Sequence, residues 1–317
     1  MLEFVEYIHH GIIALIGAIN AFGVGIGQGI SVNSALKAMN QQPSARDEIF
    51  KVTILGIALI ETAAVMGTFI SFLLLFGTHR SANNIFGGIA EIGIMFAICI
   101  PGLVLGIVSA LPARAACLSV ARQPFFAQKI LRFMIISVSL IQTPIIFGLI
   151  VALFIRGQAQ STLGLSDALR LMASGMCIGL GSIGPAVGLA LFGQAACTSI
   201  GKNRNAYNSI LTFTLISQAI IETPIIFSLV VSLSLLLVPS KDLLHGITLL
   251  AAGLCTGIGT FGPGISSGKT ATAACEQIGM QPELYNSLSR MSMFAQGLIE
   301  SGAVYAVLIS FMLLFFV

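Results

Sequence analysis

The sequence predicts an all-α membrane protein in which eight transmembrane helices form four tandem helical hairpins. Three observations predict this fold. The 317 residues are 56% hydrophobic and only 9% charged, with a mean hydropathy of +0.99, whereas soluble domains carry about 25% charged residues. Apolar stretches long enough to cross a bilayer recur along the whole chain. The chain also repeats itself in steps of 81, 80 and 78 residues.

Eight apolar stretches reach the length of about 20 residues that a transmembrane helix needs. They cover residues 11–39, 52–77, 88–118, 132–155, 169–200, 209–238, 245–275 and 289–317. The segment before the first stretch carries Glu3 and Glu6 instead of basic residues, and no small-residue cleavage site follows it. We therefore expect the first stretch to be a retained helix and not a removable signal peptide.

Composition also argues against several other classes of protein. The formal charge of +3 is small and scattered along the chain, so it gives no indication of nucleic-acid binding. The six cysteines lack CxxC spacing and lie in apolar segments, which argues against a zinc site or a disulfide framework. We expect them to be small packing residues.

The polar loops set the register of the repeat. They lie at Gln42-Pro43, Gln123-Pro124, Asn203-Arg204 and Gln281-Pro282. Counting 18 residues onward from the second member of each pair reaches Glu61, Gln142, Glu222 and Glu300. Each of these positions follows Leu-Ile or Ile-Ile and precedes Thr or Ser, and Ala-Ala-Cys recurs at 115–117, 195–197 and 273–275. This agreement predicts four copies of one unit that consists of a helix, a polar loop and a second helix.

The first helix of each unit is rich in glycine, most clearly at Gly23, Gly25, Gly27 and Gly29. Glycine costs about 1 kcal/mol at a helix position, but in a membrane it lets helix backbones approach closely. The run at 23–27 is not a dinucleotide-binding loop, because no strand precedes it. Since Val104 and Val108 replace Gly23 and Gly27 in the second unit, we expect its first helix to pack less tightly.

We divide the chain into hairpin 1 (1–80), hairpin 2 (81–160), hairpin 3 (161–240) and hairpin 4 (241–317). Most basic residues lie in or beside the loops within the hairpins: Lys37, Arg46, Lys51, Arg114, Arg122, Lys129, Arg132, Lys202, Arg204, Lys269 and Arg290. The opposite side has Arg80, Arg156, Arg170 and Lys241. The positive-inside rule then predicts that the intra-hairpin loops are cytoplasmic and that both termini face outward.

Three carboxylates lie in the middle of predicted transmembrane helices. Glu61, Glu222 and Glu300 each occur near the centre of the second helix of their hairpin. An ionised carboxylate at the bilayer centre costs about 2.5–3.5 kcal/mol on insertion scales, so such residues suggest a function. Glu91, at the start of the third stretch, we interpret as an interfacial residue.

A carboxylate crosses lipid readily only when it is neutral, which requires a bound proton or a coordinated metal cation. Loading an ion at one aqueous path, crossing lipid in the neutral state and unloading at another path is what an ion shuttle does. The three glutamates are therefore candidate ion carriers. Gln142 cannot take up or release a proton near neutral pH, so hairpin 2 is predicted to carry no ion.

At this point the sequence resembles the c subunit, or proteolipid, of F-type and related rotary ATP synthases. Members are hairpins with a glycine-rich inner helix, an Arg-Gln-Pro loop and a mid-membrane Asp or Glu on the outer helix. Arg122-Gln123-Pro124 matches that loop, hairpins 1 and 4 keep Gln-Pro, and hairpin 3 has Lys202-Asn203-Arg204. The resemblance covers all four hairpins.

The resemblance implies a rotor ring built from copies of the chain in an energy-coupling membrane, such as a bacterial or archaeal cell membrane. It implies three further kinds of partner: the a subunit of the stator, the central stalk and membrane lipids. The stalk would contact the loop residues Gln42, Pro43, Arg122, Gln123, Pro124, Gln281 and Pro282. ATP chemistry would lie on other subunits, so the chain is expected not to be an enzyme by itself and to need no cofactor besides the transported ion.

The transported ion is predicted to be H⁺, with Na⁺ as the alternative. Sodium-binding members of the family add a Gln 33 residues before the Glu, a Ser or Thr after it and a Tyr five residues beyond it. Hairpin 1 supplies Gln28 and Thr62, hairpin 3 supplies Thr223, and hairpin 4 supplies Ser301 and Tyr305, with Ser267 in place of the Gln. The fullest candidate Na⁺ site is Gln28, Glu61 and Thr62. No hairpin has the full set, and a hard cation needs several oxygens.

The missing carboxylate at Gln142 has two interpretations. In one, three ions cross for every four hairpins, which suits ATP-driven pumping or a high membrane potential, since each charge moved through 100 mV is worth about 2.3 kcal/mol. In the other, the loss is tolerated drift.

Two other classes of protein share some of these features. A secondary ion-coupled transporter also has repeats and midplane carboxylates, but its repeats are usually inverted and contain broken helices. A purely structural membrane oligomer or channel would leave the repeated carboxylate position unexplained.

Overall fold

The computed structural model describes residues 2–77, 85–159 and 164–316, and within these ranges every regular element is helical. Eight segments are long and apolar enough to span a membrane, which confirms the eight predicted stretches. They are Val5–Gln41, Pro43–Phe76, Ile85–Arg122, Pro124–Ala159, Leu165–Lys202, Arg204–Leu237, Leu243–Met280 and Pro282–Phe316. Arg80 lies outside the described residues.

Each hairpin has an inner helix, a single 3₁₀ turn and an outer helix. The inner helices are α1 (Leu2–Gln41), α3 with α4 (Ile85–Val108, Ala110–Arg122), α7 with α8 (Leu165–Gly181, Ile183–Lys202) and α10 with α11 (Leu243–Gly259, Phe261–Met280). The outer helices are α2 (Arg46–Phe76), α5 with α6 (Ala127–Ile141, Thr143–Ala159), α9 (Tyr207–Leu237) and α12 (Tyr285–Phe316). The turns are Pro43–Ala45, Pro124–Phe126, Arg204–Ala206 and Pro282–Leu284.

Prolines explain the short interruptions in these helices. The inner helices of hairpins 2, 3 and 4 break at Ser109, Ser182 and Thr260, each three residues before a proline. Proline lacks the N–H that would bond to the carbonyl four residues earlier, so the helix is weakened there. The outer helix of hairpin 2 likewise breaks at Gln142, just before Thr143-Pro144. Pro224 is accommodated inside the continuous α9.

The four hairpins stand side by side in chain order. α1 packs against α3 and α4, α3 and α4 pack against α7 and α8, and these pack against α10 and α11. The outer helices contact inner helices more extensively than they contact one another. The tightest packing of the molecule therefore lies in the inner layer, and hairpins 1 and 4 form the two ends of the row.

Glycine makes the inner layer possible. A Cβ atom at Gly27 would overlap the carbonyl oxygen of Gly106, and one at Gly188 would overlap the carbonyl oxygen of Gly264. Backbone therefore touches backbone at both places. The resulting van der Waals attraction between the helices offsets the low helix propensity of glycine.

The inner helix of hairpin 2, expected to pack less tightly, also approaches both neighbouring inner helices closely. A Cβ at Gly106 would lie 2.7 Å from the backbone nitrogen of Val24, and one at Gly93 would lie 2.7 Å from the carbonyl oxygen of Leu171. Gly102 and Gly106 lie two positions before Val104 and Val108 in the sequence. The helix thus keeps a glycine face of its own, displaced from the one used by hairpin 1.

Glu91, interpreted from the sequence as an interfacial residue, is buried between two hairpins. Its side chain is 1% exposed, and its two carboxylate oxygens lie 2.8 and 3.0 Å from Nδ1 of His9 on α1. The pair joins the inner helices of hairpins 1 and 2 near their N-terminal ends. Burial of a carboxylate is tolerated here because His9 lies within hydrogen-bonding distance of both of its oxygens.

The cysteines are packing residues, as predicted. Cys117, Cys197 and Cys275, which occupy one position of the repeat, are free thiols that are fully buried.

The close approach of the inner helices leads to a direct test. Gly188→Ala is expected to lower the thermal stability of the purified protein, because the added methyl group collides with the backbone of hairpin 4. Gly11→Ala is the control, since a Cβ at Gly11 has no atom within 4 Å and alanine is the better helix former by about 1 kcal/mol. Equal stability of the two variants in a detergent melting assay would contradict the proposed packing.

Candidate ion-binding site

Glu61, Glu222 and Glu300 lie at one depth in their helices. Each is the sixteenth residue of its outer helix, because α2, α9 and α12 begin fifteen residues before it. At 1.5 Å per residue, this places each carboxyl group about 22 Å from the loop end of its helix, near the middle of the span. Gln142 follows the fifteen residues of α5 and lies at the same depth. Glu61 is exposed, whereas Glu222 and Glu300 are partly buried.

The carboxyl group of Glu222 faces the neighbouring hairpin. Its Oε1 atom lies 3.2 Å from Oγ1 of Thr143, the first residue of α6 in hairpin 2. Thr223, the residue predicted to support Glu222, instead donates its hydroxyl to the carbonyl of Ala219 at 3.4 Å. The supporting hydroxyl therefore comes from the preceding hairpin and not from the same one.

Sequence reasoning missed Thr143 because it belongs to the hairpin that lacks a carboxylate. The signal was present, since Thr143 occupies the same position of the repeat as Thr62, Thr223 and Ser301. What the sequence could not indicate is that this position reaches across to the next hairpin.

The hydroxyl of Thr143 has two neighbours. Three hydroxyls at this position of the repeat donate to the carbonyl three residues earlier: Thr62 to Leu59 at 2.7 Å, Thr143 to Leu140 at 2.8 Å and Ser301 to Leu298 at 2.7 Å. Pro144 lacks an N–H, so the Leu140 carbonyl lacks the usual donor four residues later and is well placed to accept from Thr143. A hydroxyl has one proton, so Thr143 cannot donate fully to Leu140 and Glu222 at once.

Gln142 is turned inward at the corresponding position of hairpin 2. It is 5% exposed, and its Nε2 atom donates to Oγ of Ser109 at 3.0 Å. Ser109 precedes Gln142 by 33 residues, the same spacing as Gln28 to Glu61. In hairpin 2, then, an inner-helix residue at this spacing faces the carboxylate position.

Ser267 has the same spacing from Glu300 but a different partner. Its hydroxyl lies 3.5 Å from Oε1 of Gln296, one turn before the glutamate. Nε2 of Gln296 in turn donates to Ser217 of hairpin 3 at 3.3 Å. Gln218 makes the equivalent bond to Ser137 of hairpin 2 at 3.1 Å. These two buried amides, which were not predicted from the sequence, link neighbouring outer helices beside the carboxyl groups.

The remaining predicted ligands are not gathered around one ion. Among the described residues, no hydrogen bond joins Gln28 or Thr62 to Glu61, and none joins Ser301 or Tyr305 to Glu300. Tyr305 is 65% exposed. The described part of the chain also has no group of three or more His, Cys, Asp or Glu side chains that could hold a metal ion.

The loop side of the molecule is cationic between hairpins 2 and 3. The two loops enclose a cleft whose lining includes Arg122, Lys202 and Arg204, and the ring of Phe125 beside them is fully exposed. Pro43, Pro124 and Pro282 each begin the 3₁₀ turn of their loop.

Comparison with known proteins finds one match to the same family in each hairpin. A model of the ATP synthase C-subunit family matches residues 12–74, 92–155, 172–235 and 250–313, once in each hairpin. The ATP synthase c subunit of Dehalococcoides mccartyi is 40% identical over 73 residues, which are 23% of this chain and 96% of that protein. The c subunit of Thermotoga maritima is 38% identical over 77 residues, 23% of this chain and 91% of that protein. The second ATP synthase c subunit of Cereibacter sphaeroides is 38% identical over 68 residues, 22% and 82% respectively.

The contact between Thr143 and Glu222 can be tested by chemical labelling. Thr143→Val is expected to increase the rate at which a carbodiimide labels Glu222, because the carboxyl group loses its partner at the hairpin boundary. Thr143→Ser keeps the hydroxyl and should restore the original rate. Thr223→Val removes a hydroxyl bonded within its own helix and should leave Glu222 unaffected. Labelling is followed by peptide mass spectrometry, and equal rates in the Val and Ser variants of Thr143 would refute the contact.

Proposed function

The chain belongs to the ATP synthase C-subunit family, and we propose that it is a rotor-ring subunit that carries H⁺ on Glu61, Glu222 and Glu300. The family supports an ion-translocating role in the membrane, in assembly with other ATP synthase subunits and without catalysis by this chain. Ion flow would drive rotation and ATP synthesis, or ATP hydrolysis by partner subunits would drive ion pumping.

The observation that carries this proposal is the common depth of the three glutamates. A ring that rotates past a fixed stator must present each carboxyl group at the same height, because the ion enters and leaves at fixed positions. The fifteen-residue spacing from each outer-helix start meets this requirement. The common depth also favours a rotor subunit over a secondary transporter or a structural oligomer. Neither of these requires the same position of each hairpin to lie at one height.

The surroundings of Glu222 favour H⁺ over Na⁺. When the Thr143 proton is donated to Leu140, the hydroxyl oxygen is left as an acceptor 3.2 Å from the carboxyl group. A protonated Glu222 can donate to that oxygen, which would hold the neutral form in place while it crosses lipid. A proton needs only this one acceptor, whereas a hard cation requires several oxygens around it.

The same geometry suggests how the other two sites are completed. Thr223 of hairpin 3 holds the same repeat position as Thr143, and we propose it as the partner of Glu300, whose Oε1 atom is buried and has no hydrogen-bond partner among the described residues. Glu61 lies in hairpin 1, at one end of the row, and we propose that Ser301 of a second copy supplies its hydroxyl. The exposure of Glu61 in the single chain agrees with a site that a neighbouring copy completes.

The loops and the membrane orientation follow from the same proposal. We place the intra-hairpin loops in the cytoplasm, against the central stalk, and the stator's a subunit and lipids against the outer helices. The cationic cleft formed by Arg122, Lys202 and Arg204 is the part of the loop surface best suited to an acidic stalk segment.

Hairpin 2 is proposed to be a structural member of the ring that carries no ion. Its Gln142 is bonded to Ser109 inside the hairpin. Three ions would then cross for every four hairpins, so each rotation yields less work from a given gradient and needs less work from ATP to pump against it.

The function is tested by replacing the three glutamates together. The Glu61→Gln, Glu222→Gln, Glu300→Gln triple variant, assembled with its partner subunits in vesicles, is expected to lose ATP-driven proton uptake, because an amide cannot be protonated. The wild type should pump in Na⁺-free buffer. Glu276→Gln, an exposed residue of α11 outside this position of the repeat, is the control and should pump normally. Transport by the triple variant would remove the basis of the proposal, and a strict Na⁺ requirement in the wild type would replace H⁺ with Na⁺.

The role of hairpin 2 is tested by restoring a carboxylate. Gln142→Glu is expected to raise the number of ions moved per turn from three to four for every four hairpins, and the ion-to-ATP ratio in the same proportion. Gln142→Leu is the matched control and should leave the ratio unchanged. Ratios are measured from ATP hydrolysis and ion uptake in the same vesicles. A wild-type ratio of one ion per hairpin would contradict the idea.

A further inference from the structure

Two loop amides form the same bond between neighbouring hairpins. Nε2 of Gln123 donates to the carbonyl of Gly201 at 3.0 Å, and Nδ2 of Asn203 donates to the carbonyl of Gly279 at 3.0 Å. Each donor is the first residue after an inner helix, and each acceptor is the last residue but one of the next inner helix. The bonds satisfy carbonyls that a helix end leaves without an internal partner.

In hairpin 1 the residue at the donor position bonds within its own loop instead. Gln42 occupies the donor position, but its Nε2 atom donates to Oγ of Ser44 in its own loop at 2.9 Å. The position of Ser44 is held by Phe125 in hairpin 2 and by Asn205 in hairpin 3. In hairpin 3 the backbone N–H of Asn205 donates to Oδ1 of Asn203 at 3.0 Å, which directs the amide nitrogen toward hairpin 4.

Gln281 is the donor residue of hairpin 4, the last of the four hairpins in the row. Gln281 is exposed at one end of the row. At the other end, α1 finishes with Asn40 as its last residue but one, and Asn40 is exposed as well. Donor and acceptor are therefore both present in the chain, on opposite edges.

The glycine faces point independently to the same neighbour. Gly264 and Gly268 of α11 pack against the backbone of hairpin 3, yet their counterparts in α1, Gly25 and Gly29, would have no atom within 4 Å of a Cβ. Gly262 at the other end of the row is equally open. Helix faces that pack tightly inside the row are thus uncovered at its two ends, and a second copy of this chain has the complementary surface.

We propose that the side-chain amide of Gln281 in one copy donates to the backbone carbonyl of Asn40 in a second copy, so that the loop amides form a continuous clamp between hairpins and between chains. This inference rests on the proposed ring. The loop amides would then hold neighbouring hairpins together, in addition to any contact that they make with the stalk.

The seam between copies differs in one respect from the contacts inside the chain. Gly201 and Gly279 lie against Ser119 and Ser199 of the preceding hairpin. At the boundary between copies, the corresponding residues are Asn40 and Gln277, both exposed. Side chains with amide groups replace the small residues there, so the copies meet at their loop ends through hydrogen-bonding groups instead of through close backbone contact.

The proposed contact is tested by a disulfide between copies. Gln281→Cys with Asn40→Cys, in the full chain, is expected to give a covalent ladder of chains under mild oxidation. Gln42→Cys with Ala121→Cys has the same register within one chain and should give single chains of altered mobility. The native cysteines lie within membrane helices, most of them buried, so background oxidation is low.

A second measurement tests whether the Gln281 side chain stabilises the contact between copies or only lies close to it. Gln281→Leu is expected to shift the equilibrium between rings and single chains about fivefold per interface toward single chains, the effect of losing one hydrogen bond. Gln42→Leu, which removes a bond within one loop, should not shift it. Rings that form but show neither the ladder nor the Gln281→Leu effect would overturn this inference and leave the proposed function intact. Chains that form no ring at all would count against the proposed function itself.

Discussion

Close contact between the backbones of neighbouring inner helices is the constraint on which the rest of the structure depends. At Gly27 and Gly188 even a single methyl group would overlap the next hairpin. In lipid there is little hydrophobic gain when helices associate, so contact area and backbone proximity must supply the stability. Because backbones touch at defined residues, the helices cannot slide along one another, and the depth of every hairpin is fixed relative to its neighbours.

Fixed depth in the inner layer has consequences in the outer layer. Each outer helix follows a loop of one 3₁₀ turn, so its start is tied to the end of the inner helix, and fifteen residues later the carboxyl position is reached. Because hairpins 2 and 3 share one depth, the hydroxyl of Thr143 in hairpin 2 lies beside the carboxyl group of Glu222 in hairpin 3. The contact between Thr143 and Glu222 is thus an effect of packing many residues away. The buried amides Gln218 and Gln296 reinforce it by joining the outer helices one turn below.

Much of this architecture is predictable because it is periodic. Eight spans, four hairpins and the aligned positions of Glu61, Glu222 and Glu300 follow from hydropathy and from one repeated pattern. Contacts between repeats are harder to predict, because a repeat describes each hairpin and not how two hairpins meet. Thr143 lies in the hairpin without a carboxylate, so no pattern within that hairpin indicates its contact with Glu222. Glu91 is paired with His9, which is 82 residues away in the sequence. The glycine face of hairpin 2 escapes prediction because it is displaced by two residues.

Because the four hairpins are fused in one chain, each can have its own sequence, which a ring of identical single hairpins does not allow. In a ring of identical one-hairpin subunits, replacing the carboxylate would remove it from every position, and every loop would present the same charge. Joining four hairpins lets one of them exchange Glu for Gln142 while it keeps Thr143 for its neighbour and Gln123 for the loop clamp. The number of carboxylates per hairpin is then fixed by the sequence of one chain. It does not depend on the proportions in which different subunits assemble. A hairpin without a carboxylate still contacts the carboxyl group of the hairpin beside it and packs against that hairpin.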